Sequence, residues 1–267
     1  MKRDPKPKKF SYTRKDKVDK ASKDKATIDS GSSLIRLNKY IANAGVCSRR
    51  DADKLIEQGQ ITVNGKKITE LGFKVTSTDK VKHEGKLLSP ERPVYILLNK
   101  PKDFITTVED THGRRTVMDL VKIRGNERIY PVGRLDRMTT GLLFMTNDGD
   151  LAKKLSHPSG EVKKLYEVTL DKPITDEDYI KLEAGIMLED GEAKPDEMAI
   201  VSDDRRALGV QIHMGKNRIV RRMFEEIGYE VLRLDRVMYA GLTKKDLPRG
   251  KWRFLSEKEV IRLKYLK

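Results

Sequence analysis

The chain has 267 residues, of which 37% are hydrophobic and 36% charged, enough apolar residues for one large core or two unequal ones. A formal net charge of +15 points to a polyanionic partner, with an anionic membrane surface as the second reading. No run approaches the roughly 20 apolar residues of a membrane span, MKRDPKPKKF lacks the apolar centre of a secretory signal, and the single cysteine, Cys47, excludes an intrachain disulfide and a cysteine-based zinc site.

Residues 1–32 mix lysine with Asp, Ser and Pro and lack apolar periodicity, which predicts a disordered basic arm. The first 30 residues hold 11 lysines and arginines against 5 aspartates, so +9 of the +15 belongs to the rest. A small module is expected over 33–88. Leu34, Leu37, Ile41 and Ala44 recur at helical spacing, predicting a helix from Ile35 to Asn43 that Gly45 ends. Ser48, three residues before Asp51, has the spacing of a capping box at the start of a second helix, which Gly59 closes. Ile61 to Val63 reads as a strand leading into Asn64-Gly65, the pair favoured in a type I′ hairpin. Arg36, Lys39, Ser48, Arg49, Arg50, Lys54 and Lys66 make the module's surface basic and polar, either a solvated face or a phosphate-binding one.

Ser89-Pro90 and Pro93 mark a boundary, and a second domain is expected over 92–260 with a tail at 261–267. Strands are predicted at Val94 to Leu98, Ile129 to Val132, Leu142 to Thr146, Tyr166 to Leu170, Ala199 to Val201, Leu208 to His213 and Glu230 to Asp235. Helices are predicted at Thr116 to Leu120, Leu151 to Leu155 (capped by Asp150), Glu177 to Ala184 and Ile219 to Ile227. Strands outnumber helices without alternating with them, so the fold class is α+β: a helix-helix-hairpin module, then a mostly antiparallel mixed sheet flanked by helices.

Three clusters could carry chemistry. In Gly133-Arg134-Leu135-Asp136-Arg137, followed by Thr140-Gly141, a polar loop between two apolar strands holds Asp136 between arginines, as a structural ion pair or a reactive carboxylate. In Asn217-Arg218-Ile219-Val220-Arg221-Arg222 an arginine at the base of a helix could clamp a carboxylate, or the basic face could meet phosphate. In Lys164-Leu165-Tyr166 the tyrosine is either core or a platform for a base. His83, His112, His157 and His213 lack metal-ligand spacing, and there is no phosphate-binding GxxxxGK[ST] loop, so neither a metal nor a nucleotide cofactor is expected.

On these residues the chain resembles the bacterial small- and large-subunit rRNA pseudouridine synthases from about Val94 to Glu259. Leu37 to Ala42, Cys47 to Ala52 and Gly59 to Gly65 resemble the S4 RNA-binding domain. The resemblance implies Asp136 as the catalytic carboxylate, Tyr166 as the residue stacking on the target base, and Arg221 as the partner of the aspartate. It places Arg134, Leu135, Thr140, Gly141, Lys164, Asn217, Arg218 and Arg222 around substrate and loop. Ile219 stands where the family usually has glutamine. Ser156-His157-Pro158-Ser159 and Leu188-Glu189-Asp190-Gly191 resemble the RluB-like large-subunit branch. The expectation is a cofactor-free, cytoplasmic, monomeric enzyme acting on ribosomal RNA or a ribosomal subunit assembly intermediate. Action on small-subunit rRNA or tRNA, and a non-catalytic RNA-binding assembly role, are the alternatives.

Overall fold

The computed structural model describes residues 34–125, 127–157 and 160–266. The basic arm, and Pro158 and Ser159 of the subfamily motif, lie outside them. The described chain forms two compact units that divide between Arg92 and Pro93.

The first unit begins with a short strand, β1 (Ile35–Arg36), that pairs with β4 (Lys74–Val75). The first helix, α1 (Leu37–Asn43), therefore starts two residues later than its apolar spacing predicts, and Leu34 is 61% exposed. Backbone pairing of Arg36 with Lys74 holds the chain extended there and overrides the periodicity. Helix α2 (Arg49–Glu57) is capped as expected: Asp51 N–H donates to Ser48 Oγ at 3.2 Å. The hydroxyl in turn donates to the Asp51 carboxylate at 2.6 Å. Strands β2 (Ile61–Val63) and β3 (Lys66–Ile68) flank Asn64 and Gly65, whose φ values of 51° and 83° are those of a type I′ turn. β5 (Val81–His83) and β6 (Lys86–Leu87) complete a four-stranded sheet. Leu37, Ile41, Ala52, Ile56, Ile61 and Val81 form its small core.

The second unit is built on a nine-stranded sheet. In chain order come β7 (Tyr95–Lys100), a 3₁₀ turn at Val117–Asp119, β8 (Tyr130–Pro131), β9 (Thr140–Thr146), α3 (Gly149–Ser156) and β10 (Lys164–Leu170). Then follow α4 (Asp176–Ala184), the hairpin β11 (Ile186–Leu188) and β12 (Gly191–Ala193), β13 (Glu197–Ile200), β14 (Ala207–Ile212) and α5 (Ile219–Glu226). β15 (Val231–Tyr239), β16 (Leu242–Thr243), β17 (Trp252–Phe254) and α6 (Glu257–Lys264) complete it. The strands run β13-β14-β10-β15-β9-β7-β17, with β16 on β15 and β8 on β9. Every pairing is antiparallel except β15 with β9, which is parallel.

Two apolar clusters pack on this sheet. One joins Leu98, Leu143, Tyr166, Val168 and Val210 to Leu182 of α4 and Met223 and Phe224 of α5. The other joins Leu97, Leu142 and Phe144 to Leu151 and Leu155 of α3 and Leu263 of α6. Alternate residues of β7 and β9 serve the two clusters, so both strands read as continuous apolar runs. The cap of α3 is Asp148, whose carboxylate accepts from Leu151 N–H at 3.0 Å, not Asp150. Helix α6 runs through position 260, where the sequence reading ends the domain, because Leu263 is fully buried.

Candidate active site

Asp136 sits on the connection from β8 to β9. The loop is shaped at its exit by Gly141: with φ at +108°, an added Cβ would stand 2.3 Å from the Arg236 carbonyl oxygen, so no other residue fits. Leu135 is buried in the core and anchors the loop from beneath. Its carbonyl accepts from Thr106 Oγ1 at 2.8 Å, and its N–H donates back to that hydroxyl at 3.2 Å.

The strongest anchor is Lys100, at the end of β7. The side chain is fully buried, and Nζ donates to the carbonyls of Pro101 (3.0 Å), Asp136 (3.1 Å), Arg137 (3.2 Å) and Thr139 (2.7 Å). Burial pushes the ammonium down to about 8, partly offset by the Asp136 charge. Behind the loop, the Asp235 carboxylate accepts from Thr140 Oγ1 at 2.9 Å, from Lys244 at 2.5 Å and from both Arg249 Nη atoms at 2.9 Å. These donors outweigh burial and hold Asp235 at about 2. Arg249 also donates to Asn99 Oδ1 at 2.6 Å, which ties β7 to β15.

The Asp136 carboxylate itself is 40% exposed. The cation beside it is Arg218, 3.7 Å away. Arg218 occupies a left-handed backbone position (φ 46°, ψ 29°) at the start of α5, which turns its side chain toward the loop. Arg221, the partner implied by the family motif, points one turn further into the core. It is 9% exposed, Nη1 donates to the Val231 carbonyl at 2.5 Å, and Nε has no partner. Burial lowers its pKa, the Arg218 charge adds to that, and the Asp136 charge opposes it. Arg222 is not at the loop: it grips Asp190 of the β11–β12 turn at 2.6 and 3.1 Å and the Asn217 carbonyl at 3.2 Å.

Tyr166 is 8% exposed and lines a cavity of about 180 Å³ together with Gly133, Arg134, Lys164, Ile219 and Arg236. Ile219, in place of the usual glutamine, contributes an apolar wall there. Lys164 spans from β10 to the loop before α5, donating to the carbonyls of His213 at 2.5 Å and Met214 at 3.3 Å. Burial, then the Arg236 charge, bring it down to about 8. A second, more open depression of about 440 Å³ lies on the other side of β10, where Lys102, Met138, Glu167 and Arg233 meet.

In the first unit Arg36, Arg49, Arg50, Lys54 and Lys66 are exposed, with Lys39 half-buried. Lys54 pairs with Asp51 at 2.9 Å, and Arg49 reaches Asn38 Oδ1 at 3.4 Å. No group of acidic, histidine or cysteine side chains suited to a metal occurs among the described residues, and no helix there is long and apolar enough to cross a membrane.

Sequence reasoning missed Lys100, Asp235 and Arg236. The signal was a lysine closing an apolar run at Asn99-Lys100-Pro101, and charges alternating through an otherwise apolar strand at Leu234-Asp235-Arg236.

A family model for RNA pseudouridylate synthase matches residues 94–226, and one for the S4 domain matches 35–81. The chain is 47% identical over 236 residues to ribosomal large subunit pseudouridine synthase B of Bacillus subtilis (strain 168), covering 86% of this chain and 96% of that protein. It is 39% identical over 234 residues to the dual-specificity RNA pseudouridine synthase RluF of Escherichia coli (strain K12), covering 86% and 79%. A crystal structure of a pseudouridylate synthase superposes with a TM-score of 0.61 at 27% identity, over 86% of this chain and 99% of that one.

Proposed function

The chain belongs to the RNA pseudouridylate synthase family, with an S4 domain at its amino-terminal side, and we propose that it converts one uridine of large-subunit ribosomal RNA to pseudouridine through Asp136. The observation that carries the assignment of Asp136 is its placement. The carboxylate stands accessible on a loop whose carbonyls are gathered by a buried lysine, with an arginine 3.7 Å away. An ionised carboxylate held this firmly can act at a sugar carbon without first reorganising the backbone.

The reaction breaks the N1–C1′ bond, turns the uracil and joins C5 to C1′. It consumes no nucleotide or oxidant, so the reading includes no cofactor. Asp136 acts by attacking C1′ or by removing a sugar proton; both routes need it ionised and both release the base. Arg218 stands 3.7 Å from the carboxylate in the open site, and Arg221 lies behind it, with its Nε hydrogen still to be engaged. A stacked uridine must be extruded before C1′ is reachable, at roughly a few kcal/mol. Tyr166 then receives the base, with Arg134, Lys164 and Ile219 around it. Contacts from the basic S4 unit to phosphates offset the extrusion cost.

The large-subunit target rests on likeness to the Bacillus subtilis protein, named for the large ribosomal subunit. Likeness to a dual-specificity enzyme supports a second reading, in which another RNA is also modified. We place the reaction in the cytoplasm, on ribosomal RNA or an assembly intermediate, with a monomeric enzyme.

The test is a pseudouridine map of total rRNA and tRNA from cells lacking the gene, complemented with wild type or with Asp136→Asn. The expected result is one large-subunit uridine that loses its modification and recovers it with wild type alone. Recovery with Asp136→Asn would remove Asp136 from the chemistry, and unchanged maps would leave an RNA-binding assembly protein.

A further inference from the structure

Whichever route Asp136 takes, the uracil leaves C1′ with the electron pair of the broken bond. Until C5 reattaches, it is an anion with charge spread over N1, O2 and O4. The cavity beside Tyr166 is made for such a species. Arg134, Lys164, Lys216 and Arg236 line it, and no aspartate or glutamate does. Its volume is about 180 Å³.

Three of these cations have little left to give, or lie at the surface. The Lys164 ammonium is held by two carbonyls, and that of Lys216 by the carbonyls of Asp190 and Glu192. Arg134 is exposed. Arg236 differs. It is 3% exposed and sits directly across the strand pair from Tyr166. Its Nε donates to the Leu142 carbonyl at 2.7 Å and its guanidinium lies 4.6 Å from the centre of the Tyr239 ring. Its Nη2 is buried with no hydrogen-bond partner, and no carboxylate pairs with it among the described residues. A buried guanidinium with an unsatisfied donor is costly, and this one is held in place by a carbonyl and a ring.

We propose that Arg236 is a further catalytic residue: from Nη2 it donates to a carbonyl oxygen of the detached uracil and stabilises the anion while the ring turns. The electron pair that left with N1 is balanced when C5 bonds to C1′, the C5 proton departs and N1 takes a proton, so no outside reagent is needed. The inference rests on the pseudouridine synthase reading. It adds a leaving-group role that neither Asp136 nor Tyr166 supplies.

The test uses the full chain and a transcript of the large-subunit rRNA domain found to carry the target. Single-turnover rates, KM and RNA affinity would be measured for wild type, Arg236→Met and Arg236→Lys. Loss of one preorganised donor to a developing oxyanion predicts a fall in kcat of about 10²–10³-fold for Arg236→Met, with KM and affinity little changed. Arg236→Lys should recover part of the loss. A transcript with 5-fluorouridine at the target, compared with the uridine transcript by the rate of N1–C1′ cleavage because its C5 has no proton to lose, should shrink the deficit, since fluorine makes the base a better leaving group and reduces the need for the donor; a merely structural defect would penalise both substrates alike. Equal deficits on the two substrates, or a loss confined to KM and affinity, would overturn the proposal. Absence of pseudouridine with wild type on any RNA would overturn the underlying reading as well.

Discussion

Two loops close on the site, and each is held by a lysine amine, but to different depths. Lys100 is fully buried and collects three carbonyls of the Asp136 loop as well as that of Pro101, whereas Lys164 is half-buried and collects two ahead of α5. Burial brings both amines down to about 8. The tighter loop carries Asp136, the carboxylate proposed to act at a sugar carbon. The looser one leads into Arg218, at the start of α5. Charge here serves chiefly to fix backbone.

Lys100→Met would break the comparison hardest. Four carbonyls lose their donor, and a shift of about 1 Å at Asp136 is enough to lower kcat on the order of 10²-fold. Single-turnover rates with a melting curve would show it; a lower Tm with an unchanged rate would mean that Lys100 holds the fold and not the carboxylate. Lys164→Met should cost less, roughly tenfold, since two carbonyls are freed and the loop keeps its other anchor in Lys216. A loss equal to that of Lys100→Met would erase the distinction between the loops.

The third prediction concerns pH. Folded Lys100 releases its proton near 8 and the unfolded lysine near 10.5, so between these values the native state binds fewer protons. Stability from this group therefore rises with pH across that window. The unfolding free energy of wild type relative to Lys100→Met should shift in favour of wild type from pH 8 to 10; a flat difference would mean that the buried amine is not strained. The smallest effect is expected for Arg222→Ala. It removes a partly exposed ion pair to Asp190, away from the Asp136 loop, so rate and RNA affinity should stay within about twofold of wild type. A large loss of affinity would return Arg222 to the substrate contacts implied by the family motif.

The Asp136 loop was legible in the sequence because its glycines and flanking apolar runs are local signals. The capping of α2 and the type I′ turn were legible for the same reason. The pairing of Asp136 was not. Arg218 and Arg221 are one helical turn apart, and which of them reaches the carboxylate is settled by the left-handed backbone at Arg218, which a non-glycine residue does not announce. Lys100 was hidden because its partners are carbonyls, which carry no residue identity. The β11–β12 hairpin escaped notice because its strands have three residues each, and α6 because Leu263 is its one buried residue. Asp150 misled because Asp148, two residues earlier, offers the same chemistry in the position that the backbone uses.

The parallel seam between β15 and β9 has a consequence for how the enzyme is made. Thr140 and Asp235, joined across it, are 95 residues apart in the chain. Hairpins such as β2–β3 can zip from their turns, but this junction must wait until β15 exists, and closing so long a loop is slow. The Asp136 loop therefore acquires its rear support only when nearly all of the domain has been synthesised. A nascent or truncated chain ending before β15 carries Asp136 yet lacks its backing, so an unfinished enzyme would be kept from acting on the RNA of the ribosomes around it.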